Sequence, residues 1–553
     1  MQQIKDALAE ALKKEGILGV EIPLEHTDDF AHGDFASSVA LAYSKQLNTN
    51  PRALAEKLVA SIGKIDEVSN IEIAGPGFIN FTLDPKYLFD TLEIDRSHGD
   101  KWGSGVSLKG KKVMVEYTDP NPFKAFHIGH LMSNAIGESI ARLKEAAGAD
   151  VIRANYQGDV GVHIACAIWG IKKLGIHPES ADEFGKAYAA GATAYKEDPV
   201  AKEEIDALNK KVYARSDAEI NELYDTGRKE SLEAFEKIYT ILGTKFDRYF
   251  FESETGPKGK DIVLANEETF SLSEGARVFK GEEYGLHTRV FLNSQGLPTY
   301  EAKELGLEKM KDELYPDATI FYIVTANEVV DYFRVVKKAM EQVFPEIALK
   351  LVHIAHGLMK LPEGKMSSRT GNVITGESLI HDLTEVARGH AIDSRADDKE
   401  KLAQEVAVAA IKFQILKGGT GKDIIFERER ALSVEGDSGP YLQYTHARTH
   451  AILEKAKDAG IVPAFDPAVE APELARLIYR FHDIVQRAGE ELEPHHVANY
   501  LIQVAATFNS WYAQEQILDG TPAAAHKVAL TDITRLTLKN GLWLLGIPAP
   551  EKV

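Results

Sequence analysis

A chain of 553 residues with 84 acidic and 64 basic side chains, net charge −20, is too long for one ordinary core and too acidic to coat nucleic acid indiscriminately, though a local basic groove remains compatible with that balance. A composition of 44% hydrophobic and 27% charged residues, with no apolar run approaching the ~18 residues of a membrane span, excludes the membrane-protein classes. The N-terminal "MQQIKDALAEALKKEGI" lacks the apolar core of a secretory signal, which places the chain in the cytoplasm, and the single cysteine, Cys166, excludes an intrachain disulfide or a thiolate-clustered zinc site.

Taken in chain order, the N-terminal stretch reads as an amphipathic helix. "DFASSVALAYSKQL" and "PRALAEKLVASI" carry helical apolar spacing, and "NIEIAGPGFINFTL" alternates as strands about a Pro-Gly turn, so residues 1–95 form a small α+β module. After the linker "RSHGDKWGSG", "KKVMVEYT" is a buried strand, "HLMSNAIGESIARLKEAAG" a helix ending at a glycine and "ADVIRANY" a second strand. That order opens a parallel doubly wound sheet. The next charged helical run, with "KFDRYFFESETG" and a β-like stretch around "RVFLN", is expected to be an insertion at about 170–290, because the buried-strand pattern resumes only at "ATIFYIVTA" and "LVHIAHG". Residues 96–425 thus make one α/β domain, and 426–553, helically spaced throughout, an all-α domain. Cys166, in "HIACAIWG", is expected as a buried small residue.

The stretch "KAFHIGHLMSN", 124–134, sets two histidines three residues apart around Gly129, where a strand gives way to a helix. If the helix begins near Ile128, His127 and His130 bracket its first turn, whose free N–H groups and dipole attract phosphate. Gly129 lets a base or a phosphate approach the backbone closely. A lone pair of this spacing is most often two surface histidines at a helix start. Here the strand before, the helix after and the turn "TDPNPF" place the pair at the carboxyl edge of a parallel sheet, where such folds bind ligands. Further on, "LPEGKMSSRTGN", 361–372, is polar and suits a loop that lays Lys365 and Arg369 on phosphates.

Together these two segments resemble the HIGH and KMSKS signatures of class I aminoacyl-tRNA synthetases. "VEYTDPNPFKAFHIGHL", "IRANYQGDVG", "FDRYFFES", "EGKMSSRTGNV", "GDSGPYLQYTHAR" and "GLWLLGIPAPE" are similar to arginyl-tRNA synthetase blocks, and "GPGFINFTL" resembles that family's N-terminal tRNA-contacting module. The likeness covers essentially the whole chain. It implies a multidomain α/β protein: a Rossmann-like catalytic domain with a helical insertion over 96–425, a small α+β tRNA-contacting module over 1–95 and an all-α anticodon-binding domain over 426–553, in a monomer. It also implies the activity. Arginine would be activated with ATP to arginyl-adenylate, pyrophosphate would leave, and the arginyl group would pass to the terminal adenosine of tRNA(Arg), in general only with tRNA bound. Mg2+ would accompany the phosphates, with neither zinc nor a protein-held metal.

Residue by residue, the resemblance makes His127, His130 and Lys365 catalytic, with Lys124 compensating for the loop lysine that Ser368 replaces. ATP would be contacted by His127, Gly129, His130, Gly357, Met359, Lys365, Ser367 and Arg369. Arginine would be held by Glu116, Asn121, Tyr300 and Glu304, since a guanidinium needs planar carboxylate acceptors; Glu304, an aspartate in most of the family, also reads as an ordinary exposed helix glutamate. Phe78, Asn80 and Phe81 would touch the tRNA elbow and Tyr441, Tyr444 and Arg448 its anticodon bases, though strand and helix residues of these kinds equally suit core packing. Met132, His163 and Val329 depart from the arginine and two glutamines usual at their positions. A compact nucleotidyltransferase would have no use for the C-terminal helices, a noncatalytic RNA-binding paralogue would show damaged signature segments, and a cysteinyl enzyme would need metal-binding cysteines. "KGGTGKD" departs from a phosphate-binding loop at Leu416 and Asp423, and reads as a flexible joint before the helical domain.

Overall fold

Five apolar strands order the larger part of the structure, a computed structural model that describes residues 1–176, 181–360, 362, 375–390 and 394–553. They pair in the order Leu351–His356, Ala318–Ala326, Lys112–Glu116, Asp150–Gln157, Arg248–Phe251, every pair parallel. The central strand, Lys112–Glu116, is buried along four of its five residues, as a strand covered on both faces must be. Parallel neighbours need crossover connections, and the helix Ile128–Ala146 supplies the first of them.

The sheet resumes earlier than the apolar pattern suggests. Arg248–Phe251, expected within the insertion, is the edge strand beside Asp150–Gln157, with Ala154 opposite Arg248 and Gln157 opposite Phe251. Its four residues include only one that is fully buried, so an edge strand of this length leaves no apolar run to read. Between the second strand and this edge come the helices Val162–Leu174, Ala181–Glu197, Pro199–Ala214 and Ala218–Leu242, and after it a three-stranded antiparallel sheet of Ser271–Ser273, Ala276–Phe279 and Arg289–Leu292.

The chain separates into two compact units. One comprises residues 104–447, 485–502 and 541–553 and contains the parallel sheet. Its C-terminal segment is bound through the backbone: Ser139 Oγ donates to Leu544 O at 2.8 Å, Gln443 Nε2 to Pro548 O at 2.9 Å, and the buried Lys412 ammonium donates to Leu242 O at 2.7 Å and Gly546 O at 2.8 Å. The segment 417–423 is no loose joint. Thr420 N–H donates to Glu493 at 2.9 Å, and Asp423 accepts from Leu358 N–H at 2.8 Å and pairs with Lys360.

The other unit joins residues 1–103 to 448–484 and 503–540. Its four-stranded antiparallel sheet runs Glu25–His26, Phe35–Ser37, Phe78–Leu83, Val68–Ala74. Phe35–Ser37 extends a stretch whose spacing suggested helix throughout; the helix Val39–Tyr43 starts only after it. Arg480 donates to Thr27 O at 2.8 Å, and Trp102 Nε1 donates to Thr537 Oγ1 at 3.0 Å, so the helical residues of 448–484 and 503–540 pack with the N-terminal module within this unit. Among the described residues no helix is long and apolar enough to cross a membrane.

The helix Ile128–Ala146 sits close to its strand because of Gly137, where a Cβ would fall 2.3 Å from Tyr117 Cβ. Gly137→Ala is therefore expected to destabilise the larger unit by about 1–3 kcal/mol, through overpacking that outweighs any gain in helix propensity, read as a lower midpoint in urea denaturation.

Candidate active site

The central strand ends at Glu116, and the chain crosses to the helix Ile128–Ala146 through "YTDPNPFKAFH". This crossing is strained: Thr118, Asp119 and Phe123 take φ of 81°, 48° and 63°, a region that costs a non-glycine residue about 1–3 kcal/mol. Neighbours hold each point. Thr118 N–H donates to Ser133 Oγ at 3.0 Å, Asp119 Oδ1 accepts from Tyr156 N–H at 2.8 Å, and Phe123 N–H donates to Ser231 Oγ at 2.9 Å. Asn121 Oδ1 accepts from Gly158 N–H at 2.9 Å, and a Cβ on Gly158 would lie 2.4 Å from that oxygen, so any larger residue at 158 would displace the Asn121 side chain.

The crossing delivers the histidine pair with defined chemistry. His127 is the N-cap and its backbone N–H donates to His130 Nδ1 at 3.1 Å. A backbone N–H can only donate, so His130 Nδ1 must be the bare nitrogen and Nε2 carries the proton. The two rings stack with centroids 3.6 Å apart. Burial, then the nearby Lys124, pushes the His127 pKa down to about 4; burial, then His127 and Lys124, holds His130 well below the usual range. Both are neutral donors at physiological pH. A Cβ on Gly129 would press on the His127 ring at 3.0 Å, so glycine keeps this turn flat.

Lys124 lies over the Tyr188 ring at 4.9 Å, and burial lowers its pKa while Glu252 opposes that shift. It is thus a partly desolvated cation beside the histidines rather than a solvated turn lysine. The loop 361–372 with Lys365, Ser367 and Arg369 lies, Pro362 apart, outside the described residues. The chain beyond that loop is anchored on the histidine turn: Thr375 forms an antiparallel bridge with His127, and Gly376 N–H donates to Phe126 O at 2.6 Å. Ahead of the loop, Gly357 and Met359 pack against 420–424, and a Cβ on Gly357 would fall 2.2 Å from Lys422 backbone, which explains that glycine without a ligand.

Glu116 and Glu304 come together, and Glu304 is not an exposed helix glutamate: it is 5% exposed and its Oε1 has no hydrogen-bond partner among the described residues. Burial first, then Glu116 and Glu308, raises its pKa well above the carboxylate range. Two residues that sequence reasoning missed share this pocket. Lys311, fully buried, lies 2.8 Å from Glu116 Oε2 and pairs with Glu308, whose pKa burial pushes up to about 7. A signal was present. Glu304, Glu308 and Lys311 recur at i, i+4 and i+7 along the helix Tyr300–Leu314, the spacing of a buried face carrying charge where apolar residues belong. A second buried pair, Lys303 with Glu252, was also missed, and Glu252 Oε1 lies 3.2 Å from where a Gly158 Cβ would stand. Tyr300 is 61% exposed, its ring 5.1 Å from the Lys303 ammonium.

Of the three positions that depart from the family pattern, Met132 is buried in the helix Ile128–Ala146, Val329 packs partly buried on the core beside Phe333, and His163 Nε2 donates to Gly158 O at 2.8 Å. Among the RNA candidates, Phe78 is exposed, Asn80 is buried, and Phe81 is fully buried between its strand partners Phe35 and Ile71, so Phe81 offers no surface to an RNA and holds the sheet instead. Tyr441, Tyr444 and Arg448 all lie on the helix Gly439–Asp458; Tyr444 is exposed, while Arg448 donates to Asn509 Oδ1 at 2.5 Å.

Comparison with known proteins gives a consistent result. Residues 97–428 match the family described as tRNA synthetases class I (R), catalytic domain; residues 2–83 match the arginyl tRNA synthetase N terminal domain and 442–553 the DALR anticodon binding domain. The arginine–tRNA ligase of Clostridium perfringens is 31% identical over 99% of this chain and 100% of its own, and that of Limosilactobacillus reuteri 29% identical over 100% and 99%. Thermus thermophilus arginyl-tRNA synthetase superposes with a TM-score of 0.83 at 27% identity, covering 100% of this chain and 99% of that one.

His163, which burial and then Lys124 lower to a pKa of about 3, titrates near 6.5 once unfolded, so unfolding takes up a proton between those values and stability falls as pH drops through them. Urea midpoints measured from pH 7 to pH 5 are expected to fall more steeply for the unmodified protein than for His163→Gln, whose amide can still donate to Gly158 O.

Proposed function

Because the chain belongs to the arginyl-tRNA synthetase family and charges tRNA with arginine at the expense of ATP, we propose that the edge of the parallel sheet around Glu116 and His130 is where arginyl-adenylate forms. The observation that carries this assignment is a buried pocket holding more carboxyl groups than cations, set against a helix start that carries two neutral histidines. Such a pocket is complementary to a guanidinium, and Glu116 and Glu304 receive it, with Asn121 and Tyr300 at the substrate's amino end and side chain.

Arginine's carboxylate attacks the α-phosphorus in line, and pyrophosphate leaves. His130 Nε2–H and His127 donate to the α-phosphate oxygens as negative charge shifts there, an interaction stronger in the transition state than in bound ATP. Gly129, Gly357 and Met359 flank the nucleotide; Lys365, Ser367 and Arg369 hold the pyrophosphate, and Lys124 adds the charge that Ser368 does not. Mg2+ would accompany the phosphates, held mainly by them, and would neutralise part of their charge. Residues 1–95, with exposed Phe78 at a strand end, and 426–553, with Tyr441, Tyr444 and Arg448, contact tRNA(Arg), and the protein works as a cytoplasmic monomer.

ATP–pyrophosphate exchange tests the assignment. Exchange is expected with arginine and not with lysine, citrulline or glutamate, to appear when tRNA is added, and to fall about a hundredfold or more in His130→Ala. Equal exchange with lysine, or an unaffected variant, would overturn the reading.

A further inference from the structure

The pocket contains more negative charge than its surroundings can compensate. Glu116 arrives from the central strand, Asp119 from the strained crossing, and Glu304 and Glu308 from the helix Tyr300–Leu314; among the described residues Lys311 is the cation paired with them. Glu116, Glu304, Glu308 and Lys311 are each nearly or wholly buried, and Glu304 Oε1 and Glu308 Oε2 have no hydrogen-bond partner among the described residues. The other titratable groups that face Glu304 are Tyr156 from the strand Asp150–Gln157 and Tyr332 from the helix Val330–Val343, which add no positive charge. Four carboxyls around one ammonium cannot all stay ionised out of water, because each added anion raises the energy of the others. A bare oxygen on each of two neighbouring glutamates is where the uncompensated charge must be relieved, by a proton when the pocket is empty or by a cation when it is filled.

Resting on the arginine-site reading above, we propose that Glu308 and Lys311 are positioning residues which make the guanidinium enter in exchange for a proton, the proton leaving the Glu304–Glu308 pair to solvent as the substrate's charge replaces it. Lys311 lies 2.8 Å from Glu116 Oε2 and pairs with Glu308 as well, so a single ammonium is shared among these carboxyls and the pair keeps one carboxyl too many until arginine arrives. The raised position of Glu308, at about 7, and of Glu304 agrees with that geometry and sets the window in which the exchange is visible. In sign terms, a carboxyl that must lose its proton for the ligand to bind gives affinity that grows with pH and levels off above its own pKa. A pocket of this kind discriminates on charge twice: a neutral isostere such as citrulline neither displaces the proton nor satisfies the carboxylates left behind.

Calorimetric titration of the full-length protein with L-arginine, repeated at pH 6.0, 7.0 and 7.5 in phosphate and in Tris, reads the exchange directly, because the two buffers differ in the heat of accepting a proton. The expected result is release of nearly one proton per arginine bound at pH 6.0, about half at pH 7.0 and about a quarter at pH 7.5, with affinity weakening about fivefold from pH 7 to pH 6. In Glu308→Gln, a near-isosteric change, proton release is expected to shrink and the pH dependence to flatten, because the repulsion that holds the proton on Glu304 is gone. A buffer-independent enthalpy in the unmodified protein that still binds arginine would overturn the proposal while leaving the site assignment intact, and so would a Glu308→Gln variant with unchanged proton release. Failure of arginine to bind at any pH, or binding by Glu116→Gln as tight as in the unmodified protein, would instead remove the site reading on which the proposal rests.

Discussion

The crossing from the central strand to the helix Ile128–Ala146 is the constraint on which the site depends. It has to turn at once from the end of a buried strand, carry Asp119, Asn121, His127 and His130, and do so with no glycine at the three positions that adopt positive φ. The strain is distributed among restraints from separate elements: Ser133 on the following helix, Tyr156 on the next strand, Ser231 on the helix Ala218–Leu242. Ser133 also donates to Val324 O at 2.9 Å, linking the crossing to a third strand. Each of these contacts sets where an atom of the crossing stands, which is why a scaffold residue here can matter as much as the histidines it positions.

Around that crossing the electrostatics are arranged by subtraction. Histidines that would be cations in water are kept neutral by burial and by Lys124, while the glutamates are crowded without enough partners. The two halves of the site therefore have opposite needs. The histidine side carries neutral N–H donors, and the glutamate side carries buried carboxyls with few partners. On the reading proposed above, a zwitterionic amino acid with a cationic side chain and a polyanionic nucleotide would satisfy both sides at once.

Much of this was legible in the sequence, and the parts that were not have physical reasons. The strand, turn and helix about Gly129 could be read because they are local, and periodicity and turn chemistry report local structure directly. The spacing of Glu304, Glu308 and Lys311 marks one face of a helix, but that this face is buried against Glu116, from a strand far away in the chain, is a tertiary fact that spacing does not report. Phe81 shows the converse: alternation correctly put it on a strand, but which face is buried was decided by Phe35 and Ile71 on either side. Arg248–Phe251 escaped notice because an edge strand needs few apolar residues, and the C-terminal helices could be counted but not assigned partners, because helical spacing reveals a buried face without naming what buries it.

The backbone bonds that bind residues 541–553 to the sheet-bearing unit bear on how the protein is made. Ser139 and the carbonyl of Leu544 are 405 positions apart, and Lys412 reaches both Leu242 and Gly546. During vectorial synthesis the helix bearing the histidine pair therefore emerges long before the segment that closes over its far end, and the unit keeps buried polar groups unsatisfied until that segment arrives. Folding of the unit that carries the histidine pair is thus spread over the whole span between Ser139 and Leu544, so a fragment that stops short of Leu544 would retain both histidines and still lack the backbone acceptors that Ser139, Gln443 and Lys412 use.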